Sequence, residues 1–125
     1  MKLSITYLKL RSPLKIFNLI SLSSKIMKQL DKSNCLGVKT KGIWKKHYTM
    51  TLWEDESEMK GFYTSGAHAE AMKASKTISK EIKTITIDRD SFLDWKSAIQ
   101  QLENGRIIRF GLDQSLQPKH TRQPK

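Results

Sequence analysis

The chain has 125 residues, enough for one domain that buries roughly two thirds of its unfolded surface and too few for two independent cores. Its 38% apolar and 28% charged residues are globular proportions, and no stretch nears the roughly 18 to 20 apolar residues of a membrane-spanning helix. The net charge of +11 is uneven: residues 1–53 hold eleven Lys or Arg against the single acid Asp31, whereas residues 54–125 hold twelve against eleven. A basic half can serve nucleic acid, anionic lipid or an acidic ligand, but the lysines are scattered, which favours a solvated surface and makes nucleic acid an unexpected partner. The single cysteine, Cys35, has no partner for an intramolecular disulfide and no companions for a zinc site. Lys9, Arg11 and Lys15 interrupt the apolar run a secretory leader needs, so a soluble cytoplasmic protein with no membrane insertion is expected.

Residues 2–10 alternate as a strand, with Leu3, Ile5 and Tyr7 on one face and Ser4, Thr6 and Leu8 on the other. Ser12-Pro13 supplies a cap and a first-turn proline for a helix whose inward positions are Ile16, Leu19, Ile20, Ile26, Met27 and Leu30. Cys35 to Trp44 reads as a second strand with Gly37 and Gly42 in it, followed by a turn at Lys45-Lys46. His47 to Trp53 is a third strand, antiparallel to the second because the turn is short; His47, Thr49, Thr51 and Trp53 share one face. The acids Glu54, Asp55, Glu56 and Glu58 suit the positive end of a helix dipole, after which Met59, Phe62 and Tyr63 form an apolar face.

Thr64-Ser65-Gly66 interrupts that helix, and residues 67–80 resume it with Ala71, Met72 and Ile78 inward. Residues 82–88 alternate Ile85 and Ile87 with Thr84 and Thr86 as a fourth strand. Ser91 then caps a last helix carrying Phe92, Trp95, Ile99 and Leu102, which Gly105 ends. Residues 106–110 fit a short extra strand. The predicted fold is α+β: a ferredoxin-like βαββαβ sandwich with an added C-terminal helix, one domain over 1–110, and a disordered polar tail over 111–125. Helices on one face leave the other face of the sheet uncovered, and the simplest cover is a second copy of the chain, so a homodimer is expected.

The segment from Met50 to Met72, MTLWEDESEMKGFYTSGAHAEAM, resembles the strand and helix core of the dimeric α/β-barrel proteins related to antibiotic biosynthesis monooxygenases, close to small uncharacterised members near spheroidene monooxygenase. The resemblance covers about residues 3–104 and rests on Trp-Glu-Asp, Met-Lys-Gly-Phe and Ser-Gly-Ala-His. It implies a dimeric α/β barrel and a monooxygenase-like protein that takes a small apolar or aromatic ligand. In haem-degrading members a histidine and a tryptophan contact the haem; those positions fall here on Met72 and Phe62, so the ligand histidine is absent. Quinone-forming members use no metal or flavin, and the resemblance implies none here: a phenolic substrate is deprotonated and reacts directly with dioxygen. A non-enzymatic ligand-binding or interaction module of the same fold is the alternative.

Such a site needs a base near neutrality and hydrogen-bond donors for a phenolate, and His68, His47, Tyr7 and Tyr48 are the residues that can supply them. His68, in the first turn of its helix, is the candidate catalytic residue; the plainer reading is a histidine that bonds backbone or touches a partner. Trp53, Tyr7, Tyr48, Phe62 and Met72 are the candidate substrate-binding residues, with Trp53 and Trp44 also fitting as packing at strand ends. His47 reads as a solvated turn residue, and His47 with His68 would leave a metal short of a third ligand, so no metal is expected. Ser65 reads as a cap with no relay around it, and His120 lies in the tail.

Overall fold

The computed structural model describes residues 1–64 and 66–110, apart from the side chains at 67–69, 71, 75 and 76. Ser65, the expected tail and His120 lie outside the described residues. In chain order come β1 (Lys2–Leu10), a 3-10 turn (Pro13–Lys15), α1 (Ile16–Asp31), β2 (Gly37–Ile43), β3 (Lys46–Trp53) and α2 (Glu56–Tyr63). Then follow α3 (Gly66–Ile78), β4 (Ser79–Asp88), α4 (Trp95–Leu102) and β5 (Arg106–Arg109). The five strands form one sheet in the order β2-β3-β1-β4-β5, antiparallel throughout. The first four give the ferredoxin-like order expected from the sequence, and the short fifth strand extends the β4 edge.

The alternation in β1 and β3 sorts their residues between two unlike surfaces. Leu3, Ile5, Tyr7, Tyr48, Met50 and Leu52 face Ala98 and Leu102 of α4 and form one core cluster. Leu3, Ile5 and Met50 are fully buried there, each worth roughly 1.5–3 kcal/mol by the area removed from water. On the other face Trp53 joins Leu30 of α1 and Met59 and Phe62 of α2 in a second cluster. The second face of the sheet is therefore not uncovered as expected: α4 packs across its middle.

Local differences from the sequence reading have local causes. The last helix is capped by Asp94 and not Ser91: the Asp94 carboxylate accepts from the Ser97 amide at 3.0 Å and from its hydroxyl at 2.7 Å, so the helix begins at Trp95. Phe92 stays outside the helix, its ring 3.0 Å from where a Cβ on Gly37 would stand. At the other end of α4, a Cβ on Gly105 would stand 2.4 Å from the Thr84 carbonyl oxygen, so only glycine lets β5 approach β4 there.

The β2–β3 turn is Trp44-Lys45, one residue earlier than expected, and Trp44 takes φ 54° in a two-residue hairpin loop where glycine is usual. Its ring does not pack; Trp44 is 77% exposed. Ser79 and Lys80, read as helical, open β4 instead, with Ser79 paired to Leu10. Along α1 only Leu30 is buried, because the rest of its apolar stripe stands over a void instead of pressing on the sheet.

Candidate functional site

That void is a cavity of about 590 Å³ between the sheet and the α1–α3 layer. Its roof is mainly apolar: Ile16, Leu19, Ile20, Ile26 and Met27 of α1, with Met72 of α3, and Ser23 and Ser24 are its polar members. Its floor combines a polar row with Leu8 and Ile82, and the register explains the polar row. Thr40, Thr49 and Thr6 are direct partners across β2, β3 and β1, and all three line the cavity. One row toward the β2–β3 turn, His47 stands between Gly42 and Leu8; one row the other way, Thr51 stands between Val38 and Ser4. A mainly apolar lid over a row of hydroxyls suits a flat, mainly hydrocarbon molecule with polar groups at its face or edge.

At the inner end, Phe62 and Tyr63 close the cavity. The Tyr63 hydroxyl donates to Ser4 Oγ at 2.5 Å and lies 3.3 Å from Thr51 Oγ1, which accepts from Trp53 Nε1 at 2.9 Å. Burial pushes the Tyr63 phenol up from its usual range, so it stays protonated at neutral pH. At the outer end, burial holds the His47 imidazole below its ordinary value, with the Trp44 backbone opposing, and His47 Nε2 has no hydrogen-bond partner among the described residues. A Cβ on Gly42 would stand 2.9 Å from His47 Nδ1, so glycine makes room for the ring.

Of the residues expected to bind substrate, Phe62 and Met72 line the cavity. Trp53 is fully buried behind Phe62, with ring centroids 5.3 Å apart. The rings of Tyr7 and Tyr48 lie on the α4 side, 5.1 Å apart, with Trp95 6.3 Å from Tyr48; Tyr48 also borders the cavity. Burial, helped by Glu81, pushes Tyr7 up to about 12. His68 lies in α3 one turn before Met72, and its side chain is outside the described residues. His47, read from sequence as a solvated turn residue, is instead half-buried in β3 and lines the cavity. The threonine row was missed; its signal was the coincidence of Thr6, Thr40 and Thr49 once strands are paired. Cys35 lies off the cavity, its thiol pushed up by burial. Among the described residues no three His, Cys, Asp or Glu side chains converge as a metal site.

No protein-family model matches the chain, and neither does any curated protein. Solved structures do. A protein from Deinococcus radiodurans assigned to the antibiotic biosynthesis monooxygenases matches with a TM-score of 0.65 at 15% identity, over 75% of this chain and 97% of that one. A conserved protein from Methanosarcina mazei gives 0.64 at 14% identity, over 72% and 92%. SnoaB, a cofactor-independent oxygenase from Streptomyces nogalater, gives 0.59 at 7% identity, over 74% and 95%. The chain has the fold of the antibiotic biosynthesis monooxygenase-like proteins. At these identities the likeness is one of fold, and the chemistry is argued from the cavity.

Proposed function

We propose that this monooxygenase-like protein binds a small apolar or aromatic molecule in the cavity and oxidises a phenolic one with dioxygen, without cofactor. The observation that carries the reading is the cavity itself, with a mainly apolar roof over a threonine row and a histidine at one end. A ring activated by its hydroxyl loses a proton to a base, and the resulting anion reduces dioxygen directly; an anthrone methylene becomes a carbonyl, and the second oxygen atom leaves as water. His47, held neutral by burial, and His68, one turn from Met72, are the two proposed bases. The likeness in fold to SnoaB, described as a cofactor-independent oxygenase, supports the reading.

Oxygen uptake with anthrones and quinols is the test. Turnover is expected, and removing the operative base, in His47→Ala or His68→Ala, is expected to lower kcat by about 10²-fold or more. Absence of turnover across the panel overturns the oxygenase reading. The same panel followed by quenching of protein fluorescence serves the second reading, a ligand-binding module. That reading is favoured by the lining, in which His47 is the one described histidine; binding without oxygen uptake establishes it.

A further inference from the structure

One end of the molecule gathers cations and exposed apolar side chains. The Leu10 amide donates to the Lys45 carbonyl at 2.8 Å and the Arg11 amide to that of Ile78 at 3.0 Å, which brings together the end of β1, the β2–β3 turn and the approach to α1. Lys9 and Lys46 are direct partners across β1 and β3, with Lys45 in the adjoining turn and Lys15 just before α1. Among the described residues these four lysines form no ion pair. The carboxylate opposite Lys9, Glu81, is held by Arg109 at 3.5 Å. The acids gather at the far end, where β3 and β4 finish and α2 starts: Glu54, Asp55, Glu56, Glu58, Asp88 and Asp90.

From the cationic end project Leu14, Phe17 and Trp44, at 76%, 71% and 77% exposure. Leu14 and Phe17 sit three residues apart at the start of the α1 region, where side chains at that spacing are neighbours. Trp44 holds a left-handed backbone in a glycine position without burying its ring, so the fold bears that strain and gains no packing from it. Large apolar groups at the same end as unpaired lysines match a lipid surface: acyl chains take the first, and headgroup phosphates take the second.

We propose that this end docks peripherally on an anionic bilayer, with Leu14, Phe17 and Trp44 entering the boundary between headgroups and acyl chains and Lys9, Lys15, Lys45 and Lys46 facing the phosphates. Leu14 and Phe17 favour lipid over nucleic acid, since a leucine gains nothing from a phosphate backbone and much from hydrocarbon. No helix among the described residues is long and apolar enough to cross a membrane, so the contact is with the surface. The proposal stands apart from the oxygenase reading, although Ile16 and Ile20 of the cavity roof lie within a turn of the docking residues.

Sedimentation with phosphatidylcholine vesicles, with and without about 30% phosphatidylglycerol, tests it. Trp53 is buried and Trp95 half-buried, so Trp44 dominates any change in emission on contact with lipid. The whole protein is expected to bind the anionic vesicles with a blue shift, and to release them as salt rises. Leu14→Ser with Phe17→Ser, and separately Lys45→Glu with Lys46→Glu, are each expected to weaken binding at least tenfold while far-ultraviolet circular dichroism is unchanged. Trp44→Phe keeps the binding and loses the blue shift. Failure to bind at low salt overturns the proposal, as does binding that ignores the apolar substitutions. So does displacement from vesicles by a single-stranded oligonucleotide, or a dimer that the Leu14 and Phe17 changes dissociate while vesicles go unbound.

Discussion

Tyr63 and Trp53 show how a site is built from residues that do not touch the ligand space alike. Trp53 lies behind Phe62 in the second core cluster, and its indole nitrogen begins the chain of hydroxyls that runs through Thr51 and Tyr63 to Ser4. That chain joins β3, α2 and β1 at the inner wall of the cavity. Buried polar groups tolerate little loss, because a donor or acceptor left alone keeps its full desolvation penalty. Tyr63→Phe keeps the ring but takes the donor from Ser4 Oγ, on a residue only 2% exposed; urea unfolding is expected to show a loss of about 1–3 kcal/mol. Trp53→Ala, which empties a fully buried site, is expected to cost about 3–5 kcal/mol in the same assay. A Tyr63→Phe variant as stable as the parent would show that the hydroxyl chain contributes nothing net.

Among the elements, α4 is the one whose placement changes most of the sequence reading. Its start depends on Asp94, whose carboxyl is held below its ordinary value of 3.8 by the Ser97 hydroxyl first and the Ser97 amide second. A carboxylate with a depressed folded pKa stabilises fully above the unfolded value, and that contribution is lost as pH falls through the folded one. Asp94→Ala is therefore expected to lower the thermal midpoint at neutral pH, with the two proteins converging in strong acid; a gap that persists in acid would argue against the cap. The strands were legible because a period of two sorts Leu3, Ile5 and Tyr7 from Ser4, Thr6 and Leu8 in a single pass, and the acids after Trp53 marked α2 by its dipole. What was not legible depends on distant partners. No local pattern says that α4 covers the Tyr7 and Tyr48 face and leaves the Thr6 and Thr49 face to a cavity. Nor does local pattern place a tryptophan at positive φ in the β2–β3 turn, or say that the apolar stripe of α1 roofs a void, since burial against a helix and exposure to a cavity use the same residues.

At the scale of the whole molecule, α4 removes part of the ground for self-association, since the sheet face expected to need a second copy already has a helix across it. The homodimer is accordingly a proposal, which light scattering decides; a monomer at micromolar concentration counts against it. The segregation of charge has a separate physical result. The unpaired Lys9, Lys15, Lys45 and Lys46 at one end, and the acid-rich other end where Lys2 and Lys60 offset only Glu56 and Asp88, give the molecule an electric moment along the strands, on top of its net charge of +11. Near a negatively charged surface such a body feels a torque as well as a pull, and it turns before it touches. Most encounters then begin with the Trp44 end forward, and fewer are wasted on wrong orientations. Because this steering acts at a distance and the final apolar contacts do not, stopped-flow mixing with anionic vesicles should show the two effects separately. The association rate is expected to fall steeply as the screening length shortens from about 10 Å at 0.1 M salt to about 3 Å at 1 M, while the dissociation rate changes far less.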